Sequence, residues 1–310
     1  MKYRKFDTEK QAVAGVIEAL LLVALIAVVI SIIQLQYIPQ IMEQKEAEHM
    51  DDVSNQFSYL KSVIDTQALT GSIATDAPLS HVPMTSMITL GSRELPYFIT
   101  APSFGEVRAD QDENSTIEIH SFSQGTIGDK IDSLPSFPLT SIVYDAYNSY
   151  FVDQTYVFEG GGIIVAQPDG ESVMRADPSI SIKDLIGNPL MIEMKFYLPN
   201  IIEVPGKNIS SSSGNCFIRT NYSSYQTYTD IPIDFGSCII IKSKYLNAWD
   251  ESLNGFFREE IRNNHVNITI WPYPTQGIDV VKVSVLDSSI IDLKLTVVNI
   301  IAQVGPGWVT

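Results

Sequence analysis

A long run of apolar residues near the N-terminus constrains this chain more than any other feature. Between Ala12 and Ile33 the only charged residue is Glu18, and the run contains no proline. Its 22 residues would form a helix about 33 Å long, which matches the ~30 Å hydrocarbon core of a bilayer. A helix also satisfies its own backbone hydrogen bonds, as a membrane requires. The sequence therefore predicts one membrane-spanning segment, with the lipid bilayer as its partner.

The charges that flank this run predict its orientation. Residues 1–10 contain four basic side chains, Lys2, Arg4, Lys5 and Lys10, against the acidic Asp7 and Glu9. Residues 41–52 contain five acidic side chains and one lysine. Because the positive flank of a membrane helix stays in the cytoplasm, we expect a single-pass protein of the cell membrane, with its N-terminus inside and its C-terminal domain extracellular. A secretory signal that is removed is the alternative, although its apolar core is usually shorter, about 7–15 residues.

Composition narrows the class of protein and its partners. The chain has 310 residues, of which 45% are hydrophobic and 18% charged. Such a composition is typical of a globular fold with one large or two modest domains. The net charge of −16 argues against nucleic acid as a partner, because phosphate backbones are bound by surfaces rich in Lys and Arg.

Two further features agree with a location outside the cell. Four Asn-x-Ser/Thr sequons are candidate glycosylation sites: Asn114, Asn208, Asn221 and Asn267. Asn208 is the strongest of them, because the serine run 210–213 that follows it predicts a flexible, exposed stretch. We expect the two cysteines, Cys216 and Cys238, to form a disulfide, with two buried free thiols as the alternative.

Periodicity divides the chain into a helical part and a β-rich part. After Pro39 apolar residues recur at three-, four- and seven-residue steps, which predicts an amphipathic helix that follows a kink. Beyond the polar stretch 67–85, short alternating runs predict strands. The fold class is therefore α+β, with a β-sandwich-like antiparallel domain that carries one short helix at about 246–262. The expected segments are a cytoplasmic leader at 1–10, a transmembrane helix at 11–39, a stalk helix at 40–66, a connector at 67–85 and a β-rich extracellular domain at 86–310.

Individual strands are predicted from the same runs. Apolar positions alternate with polar ones at 281–285 and again at 293–297, and the two runs are joined at 287–289. They are expected to form an antiparallel pair with one buried face. Gly160-Gly161-Gly162 predicts a tight turn between strands. Strands are expected at 87–99, 115–122, 155–166, 172–175, 179–183, 190–198, 215–220, 236–242, 265–271, 278–286 and 290–301.

Motifs for catalysis and metal binding are missing from the sequence. It contains no Gly-x-Ser-x-Gly elbow, Walker loop, His-Glu-x-x-His or Cys-x-x-Cys pattern. Asp110, Asp112 and Asn114 match half of a calcium loop, but Ser115 stands in place of the turn glycine and Ser121 in place of the bidentate glutamate. No carboxylate or cysteine arrangement is apparent beside the histidines His81, His120 and His265. We therefore expect no enzyme activity, no cofactor and no metal site.

The apolar run also carries a resemblance to a known family. The segment Gln11-Ala12-Val13-Ala14-Gly15-Val16-Ile17-Glu18-Ala19-Leu20-Leu21-Leu22-Val23-Ala24 follows a short basic leader. This start resembles the N-terminus of archaeal type IV pilins and archaellins. The segments 156–164 and 170–174 and the helix at 245–257 are similar to archaeal pilin-like envelope proteins. The resemblance implies a long N-terminal helix that carries a β-rich head and assembles with other copies through that helix.

The resemblance also implies roles for single residues. It places Gln11, Gly15 and Glu18 at the assembly or anchoring end of the helix, with Glu18 paired to the N-terminal amine of a neighbour. A solvated Glu18 near the cytoplasmic interface is the alternative. The junction departs from the pilin pattern, because Lys10 is followed directly by Gln11 where a Gly or Ala is usual.

These expectations lead to three hypotheses of function. The first is a membrane-anchored structural protein of the cell surface, a pilin-like filament subunit or an adhesin. The second is a membrane-anchored extracellular module that binds a sugar or a surface-layer ligand. The third, and the least favoured, is an anchored hydrolase.

Overall fold

A single long helix forms the N-terminal part of the protein. The computed structural model describes residues 6–73, 82–92, 103–111, 114–123, 126–131, 134–168, 170–185, 188–273, 278–286 and 288–306. The chain begins with α1 (Phe6–Ile32), continues through a π-helical turn (Ile33–Tyr37) and goes on as α2 (Ile38–Ile73). The helix therefore reaches Ile73, beyond the predicted end at residue 66.

The π-helical turn explains how the helix passes Pro39. Proline has no N–H, and its ring clashes with the carbonyl four residues earlier, so it usually kinks or ends a helix. Here the widened turn lies just before it, and the N–H of Ile38 bonds to the carbonyl of Ile33. A π-helical turn of this kind accommodates an irregular hydrogen-bond ladder without ending the helix.

After this helix, the described residues form strands and two short helices. The helices are α3 (Leu246–Phe256) and α4 (Arg258–Arg262), which confirms the predicted helix near 246–262. The strands are β1 (Met84–Thr89), β2 (Phe104–Asp110), β3 (Thr116–Ser123), β4 (Thr126–Lys130), β5 (Phe137–Pro138), β6 (Ser141–Tyr147), β7 (Thr155–Glu159), β8 (Gly162–Ala166), β9 (Val173–Ala176), β10 (Ser179–Leu185), β11 (Asn188–Glu203), β12 (Ile209–Ser212), β13 (Asn215–Ile233), β14 (Ser237–Lys242), β15 (Val266–Tyr273), β16 (Ile278–Val285) and β17 (Ile290–Val304).

These strands form three sheets. The first has the order β1-β13-β17-β11-β10, the second β12-β2-β6-β7-β8-β9 and the third β15-β16-β14-β3-β4, with β5 beside β3. The neighbours are antiparallel except β11 and β17, which run parallel over Met191–Glu203 and Ile290–Ala302. The α+β prediction is thus confirmed, with a mostly antiparallel β domain after the long helix.

Two main hydrophobic cores lie between these layers. The helix core packs α2 against β1, one face of the second sheet and the adjoining halves of β13 and β17. The α3 core packs α3 and the third sheet against the opposite halves of the long strands. The second sheet contributes to both cores: Ile142 and Tyr144 face the helix core, and Val143 faces the α3 core.

The long strand β17 connects the two cores. Its odd-numbered apolar positions 291–295 lie in the α3 core, and its even-numbered positions 298–304 lie in the helix core. Because successive side chains of a strand point to opposite faces, this change of parity places the two cores on opposite sides of the strand. The strand therefore passes between the cores and is buried along most of its length.

The predicted pairing of the last two strands is wrong. β16 pairs with β14 and β15, whereas β17 pairs with β11 and β13 in another sheet. Alternation marks a buried face but carries no information about the partner strand. β6 was not predicted, because residues 141–144 are buried on both faces and show no alternation.

The Gly160-Gly161-Gly162 segment forms the predicted tight turn, between β7 and β8. Gly160 and Gly161 have φ of +57° and +86°, values that side chains other than glycine rarely adopt. A Cβ on Gly160 would lie 2.8 Å from the ring of Trp249. The Trp249 Nε1 donates to the buried Glu159 carboxylate over 2.7 Å. The turn therefore fixes α3 on the sheets, which is a structural role.

Candidate functional site

The apolar half of the long helix is the outstanding exposed feature of the protein. From Val13 to Ile32 every residue is exposed, on all faces of the helix. Within the described part of the chain, one helix is long and apolar enough to span a membrane, and its apolar window contributes nothing to the protein's own core. In water this surface would be strongly unfavourable, at roughly 25 cal/mol for each Å² of apolar area. The helix is thus suited to a lipid environment.

The residues expected to act in anchoring or assembly lie at the start of this apolar half. Gly15 and Glu18 are both exposed, and their spacing of three places them on the same side of α1. A Cβ at Gly15 would meet no other atom within 4 Å, so that surface is open. Gln11 lies in α1, and its side chain is outside the described part of the structure.

The second half of the helix, α2, packs against the β-rich part of the protein. We call α2 and this β-rich part together, residues 38–306, the head. The buried Glu46 carboxylate accepts three backbone hydrogen bonds, from Ser149 at 3.0 Å, Tyr150 at 2.7 Å and Phe151 at 2.7 Å. Hydrogen bonds to a charged group are stronger than neutral ones, at about 1.5–3 kcal/mol each. Glu46 therefore ties α2 to the loop between β6 and β7.

His49 forms a second polar contact between α2 and the strands of the head. Its Nε2 lies 2.9 Å from the carbonyl oxygen of Thr89, and its Nδ1 is buried without a hydrogen-bond partner. Burial lowers the pKa of His49, because the charged imidazolium would lose its hydration. Burial therefore favours the neutral imidazole, against the opposing effect of the hydrogen bond to Thr89.

The four sequons differ in accessibility. Asn114 lies in a turn and Asn267 on β15, at the edge of the third sheet, and both are exposed. Asn208 is half-buried and donates to Glu203 over 2.8 Å, and the following serines form β12 instead of a flexible stretch. Asn221 has a buried side-chain oxygen without a partner. Asn114 and Asn267 are therefore the accessible sequons.

The predicted disulfide is wrong. Cys216 and Cys238 are both free and buried. Cys216 belongs to the helix core. Cys238 lies on the face of the third sheet that points away from the α3 core, in a small cluster with Ile240 and Val280. Burial raises the pKa of both thiols, that of Cys238 to about 12, so neither is a reactive thiolate. The alternative of two buried thiols holds.

A buried ionic cluster in the third sheet was missed by the sequence reasoning. Glu118 on β3 lies 2.8 Å from His120 Nε2 and 2.9 Å from Lys242 Nζ, and all three side chains are largely buried. Ser136 donates to the other carboxylate oxygen over 3.0 Å. These donors lower the pKa of Glu118 to about 2, against the opposing effect of its burial. The spacing of two between Glu118 and His120 places both on one face of a strand, and this was the signal available in the sequence.

The hydrogen bonds of this cluster join residues of the protein to one another. His120 Nδ1 lies 3.0 Å from the carbonyl oxygen of Gly128, and Nε2 faces the Glu118 carboxylate. Both ring nitrogens thus face oxygen atoms of the protein itself. Both nitrogens of the His120 ring are therefore engaged within the protein, which is consistent with a structural role.

A second buried cation lies nearby on the same sheet. Lys282 Nζ is 4.1 Å from the centre of the Trp271 ring and 4.4 Å from that of the Phe122 ring. Burial lowers the pKa of Lys282. Cation–π contacts of this kind stabilise a desolvated ammonium by about 2 kcal/mol. The two rings therefore provide a structural environment for the buried charge.

The part of the chain that the structure describes contains no group of three or more side chains suited to hold a metal ion. His81 and Asp112, considered above for such a site, lie outside the described residues. Comparisons with protein-family models, with curated proteins and with solved structures found no match. The function is therefore inferred from this chain's own residues.

Proposed function

We propose that this chain is a single-pass membrane protein that displays a structural β-rich head on the cell surface. One observation carries the proposal: the same continuous helix exposes apolar side chains on every face at Val13–Ile32 and buries only one face in the head from Met42 onward. An amphipathic helix that lies on a membrane would keep a polar face. An apolar surface on all sides is what a spanning helix requires.

The continuity of the helix favours a retained anchor over a removed signal. The span and the buried helix are joined through residues 33–41, and the π-helical turn keeps them in one helix. A signal that is removed after its apolar core would have to be cut inside this helix. We therefore expect the mature protein to keep the apolar run.

The orientation follows from the charge of the two flanks. Basic residues precede the span and acidic residues such as Glu43 and Glu48 follow it, so the head is expected outside the cell. Sequons are used only outside the cytoplasm, and Asn114 and Asn267 are accessible to a glycosylating enzyme.

A filament role is a finer form of the same proposal. Its support is the open surface at Gly15 and Glu18, where a neighbouring helix could approach closely. A carboxylate inside an apolar segment usually has a partner. Electron microscopy of cells that express the full chain, compared with a chain lacking residues 11–36, tests this role: filaments are expected only with the full chain.

Intact-mass measurement combined with protease treatment of whole cells tests the anchor. The protein should remain in the membrane fraction with residues 12–36 present in its mass, and added protease should digest the head. Deletion of residues 11–36 should move the head to the soluble fraction. A mature mass that lacks the apolar run, or a head protected from external protease, would overturn the anchor or its orientation respectively.

A further inference from the structure

The direction of β1 relative to α2 shows which end of the head lies toward the apolar half of the helix. Gln67 Nε2, near the end of α2, donates to the carbonyl oxygen of Val82 just before β1. His49, close to the start of α2, contacts the carbonyl oxygen of Thr89 at the other end of that strand. β1 therefore runs back toward the apolar half, and Leu90 follows at that end.

The second sheet has the same polarity. Lys61 donates to the carbonyl oxygen of Gly161 after β7, and the Tyr156 hydroxyl at the start of β7 donates to the carbonyl oxygen of Met50. The loop before β7 therefore faces the apolar half. By strand register, Phe104 at the start of β2 lies opposite Tyr147 at the end of β6. We call this end of the head the base, formed by residues 90–92, 103–105, 147–153 and 212–215.

Little space separates the base from the span. Met42 is fully buried, and Ile38 and Pro39 are half-buried. Met42 follows Ile33, the last residue of the apolar run, by nine residues, or about 14 Å of helix. The headgroup layer of a bilayer takes up about 5–7 Å of that distance. Side chains that project from the base therefore reach the headgroups.

The base presents exposed aromatic and apolar side chains. The rings of Phe104 and Tyr147 are stacked, with centroids 4.8 Å apart, and both are more than two-fifths exposed. Tyr150 and Val152, in the loop that Glu46 holds, are 39% and 52% exposed. Aromatic side chains of this kind concentrate at membrane interfaces, because their rings are apolar and the tyrosine hydroxyl is polar.

Charge near the base does not favour attraction to anionic lipid. Glu43 and Glu48 are exposed on the first turns of α2, and Lys45 there is paired with Glu48 at 2.8 Å. Anionic lipid attracts clusters of Lys and Arg. Contact with lipid at this surface would therefore depend on the apolar and aromatic side chains.

The geometry points to a second membrane contact: the base of the head docks on the surface of the bilayer that α1 spans. Phe104, Tyr147, Tyr150 and Val152 insert among the headgroups and fix the orientation of the head, with the α3 core directed away from the membrane. This inference rests on the proposed function, since it needs α1 in the membrane.

Lipid quenching in nanodiscs tests the contact. The full chain with Val152→Cys, labelled with an environment-sensitive fluorophore, is placed at one chain per disc in phosphatidylcholine that carries a nitroxide on its headgroup. Cys216 and Cys238 are buried, so the label goes to position 152, and unlabelled wild type gives the background. The matched control is Phe235→Cys, since Phe235 is 64% exposed in the turn between β13 and β14 at the other end of the head.

We expect the label at position 152 to be quenched several-fold more than the label at position 235. Equal quenching in chains that co-float with lipid would overturn the docking inference and leave the anchor intact. Failure to co-float with lipid would overturn the anchor itself. If the label at 152 becomes shielded only with several chains per disc, and without lipid quenching, the base contacts a second copy of the chain and the inference is wrong.

Discussion

Two leucines in one helix show how differently its halves are used. Leu25 in α1 is 65% exposed, whereas Leu60 in α2 is fully buried. Around Leu25 the neighbours on every side are apolar, while around Leu60 exposed polar residues occupy the face away from the head. The helical period is the same in both halves. The composition of the outer face therefore determines whether that half of the helix suits lipid or water. The first half suits lipid, and the second suits a protein core with water outside.

The largest contrast is expected from truncating these two leucines. Leu60→Ala should lower the free energy of unfolding of the head by about 2–5 kcal/mol, because it leaves a cavity in the helix core. Leu25→Ala should change it by less than about 0.5 kcal/mol, since Leu25 contributes nothing to that core. Denaturant unfolding in mild detergent, followed by tryptophan fluorescence, measures both. Similar losses from the two variants would contradict the division of the helix.

Introducing a charge should instead affect the apolar half of the helix and spare the half in the head. Leu25→Arg should make the free energy of membrane insertion less favourable by about 3 kcal/mol, since an arginine at the centre of a span is poorly solvated. It should leave the unfolding of the head unchanged. Tyr59→Arg, on the exposed side of α2, is the control and should affect neither. Membrane and soluble fractions after expression give the first quantity, and an arginine without effect at position 25 would argue against a span.

The attachment of the helix to the base should contribute less than the core. Glu46→Ala leaves three backbone N–H groups without their acceptor and should cost about 2 kcal/mol. Glu48→Ala, two positions away and exposed, should be nearly neutral. Hydrogen exchange of residues 149–151 should rise in the first variant alone. Unchanged protection there would mean that Glu46 does not hold the loop.

An effect that depends on pH is expected in a region that does not touch the helix. Glu118 has a folded-state pKa of about 2, below its ordinary 4.5. Between pH 4.5 and about 2 the unfolded state therefore binds more protons than the folded state. The stabilisation of the fold by the Glu118 carboxylate is complete above pH 4.5 and is lost as pH falls toward 2. Glu118→Gln should flatten the acid limb of the stability profile. A variant with the wild-type acid limb would show that the Glu118 cluster contributes little.

Much of this arrangement follows from the sequence, and the exceptions have physical causes. The apolar run and the amphipathic helix come from local patterns, and both are found. The end of α2 was predicted too early because Gln67 is buried there and donates to the carbonyl oxygens of Val82 and Thr220. Such contacts depend on strands that are remote in the sequence.

The polar side chains of the third sheet and the two cysteines show the same limit. Glu118 and His120 could have been placed on one face from their spacing, but Lys242 comes from a strand more than a hundred residues later. The expected disulfide rested on the presence of two cysteines, and the fold places them in different clusters. Pairing between distant elements is set by the packing of the sheets, which a single sequence does not specify.

The division of the helix between two solvents is tested most directly by spin labels on its two halves. Nitroxides at Leu25→Cys and Tyr59→Cys, in vesicles of phosphatidylcholine, report collisions with oxygen, which concentrates in lipid, and with a water-soluble nickel chelate. We expect oxygen to dominate at position 25 and the chelate to dominate at position 59. Dominance of the chelate at both positions, or loss of the label at position 25 from the mature protein, would contradict the account.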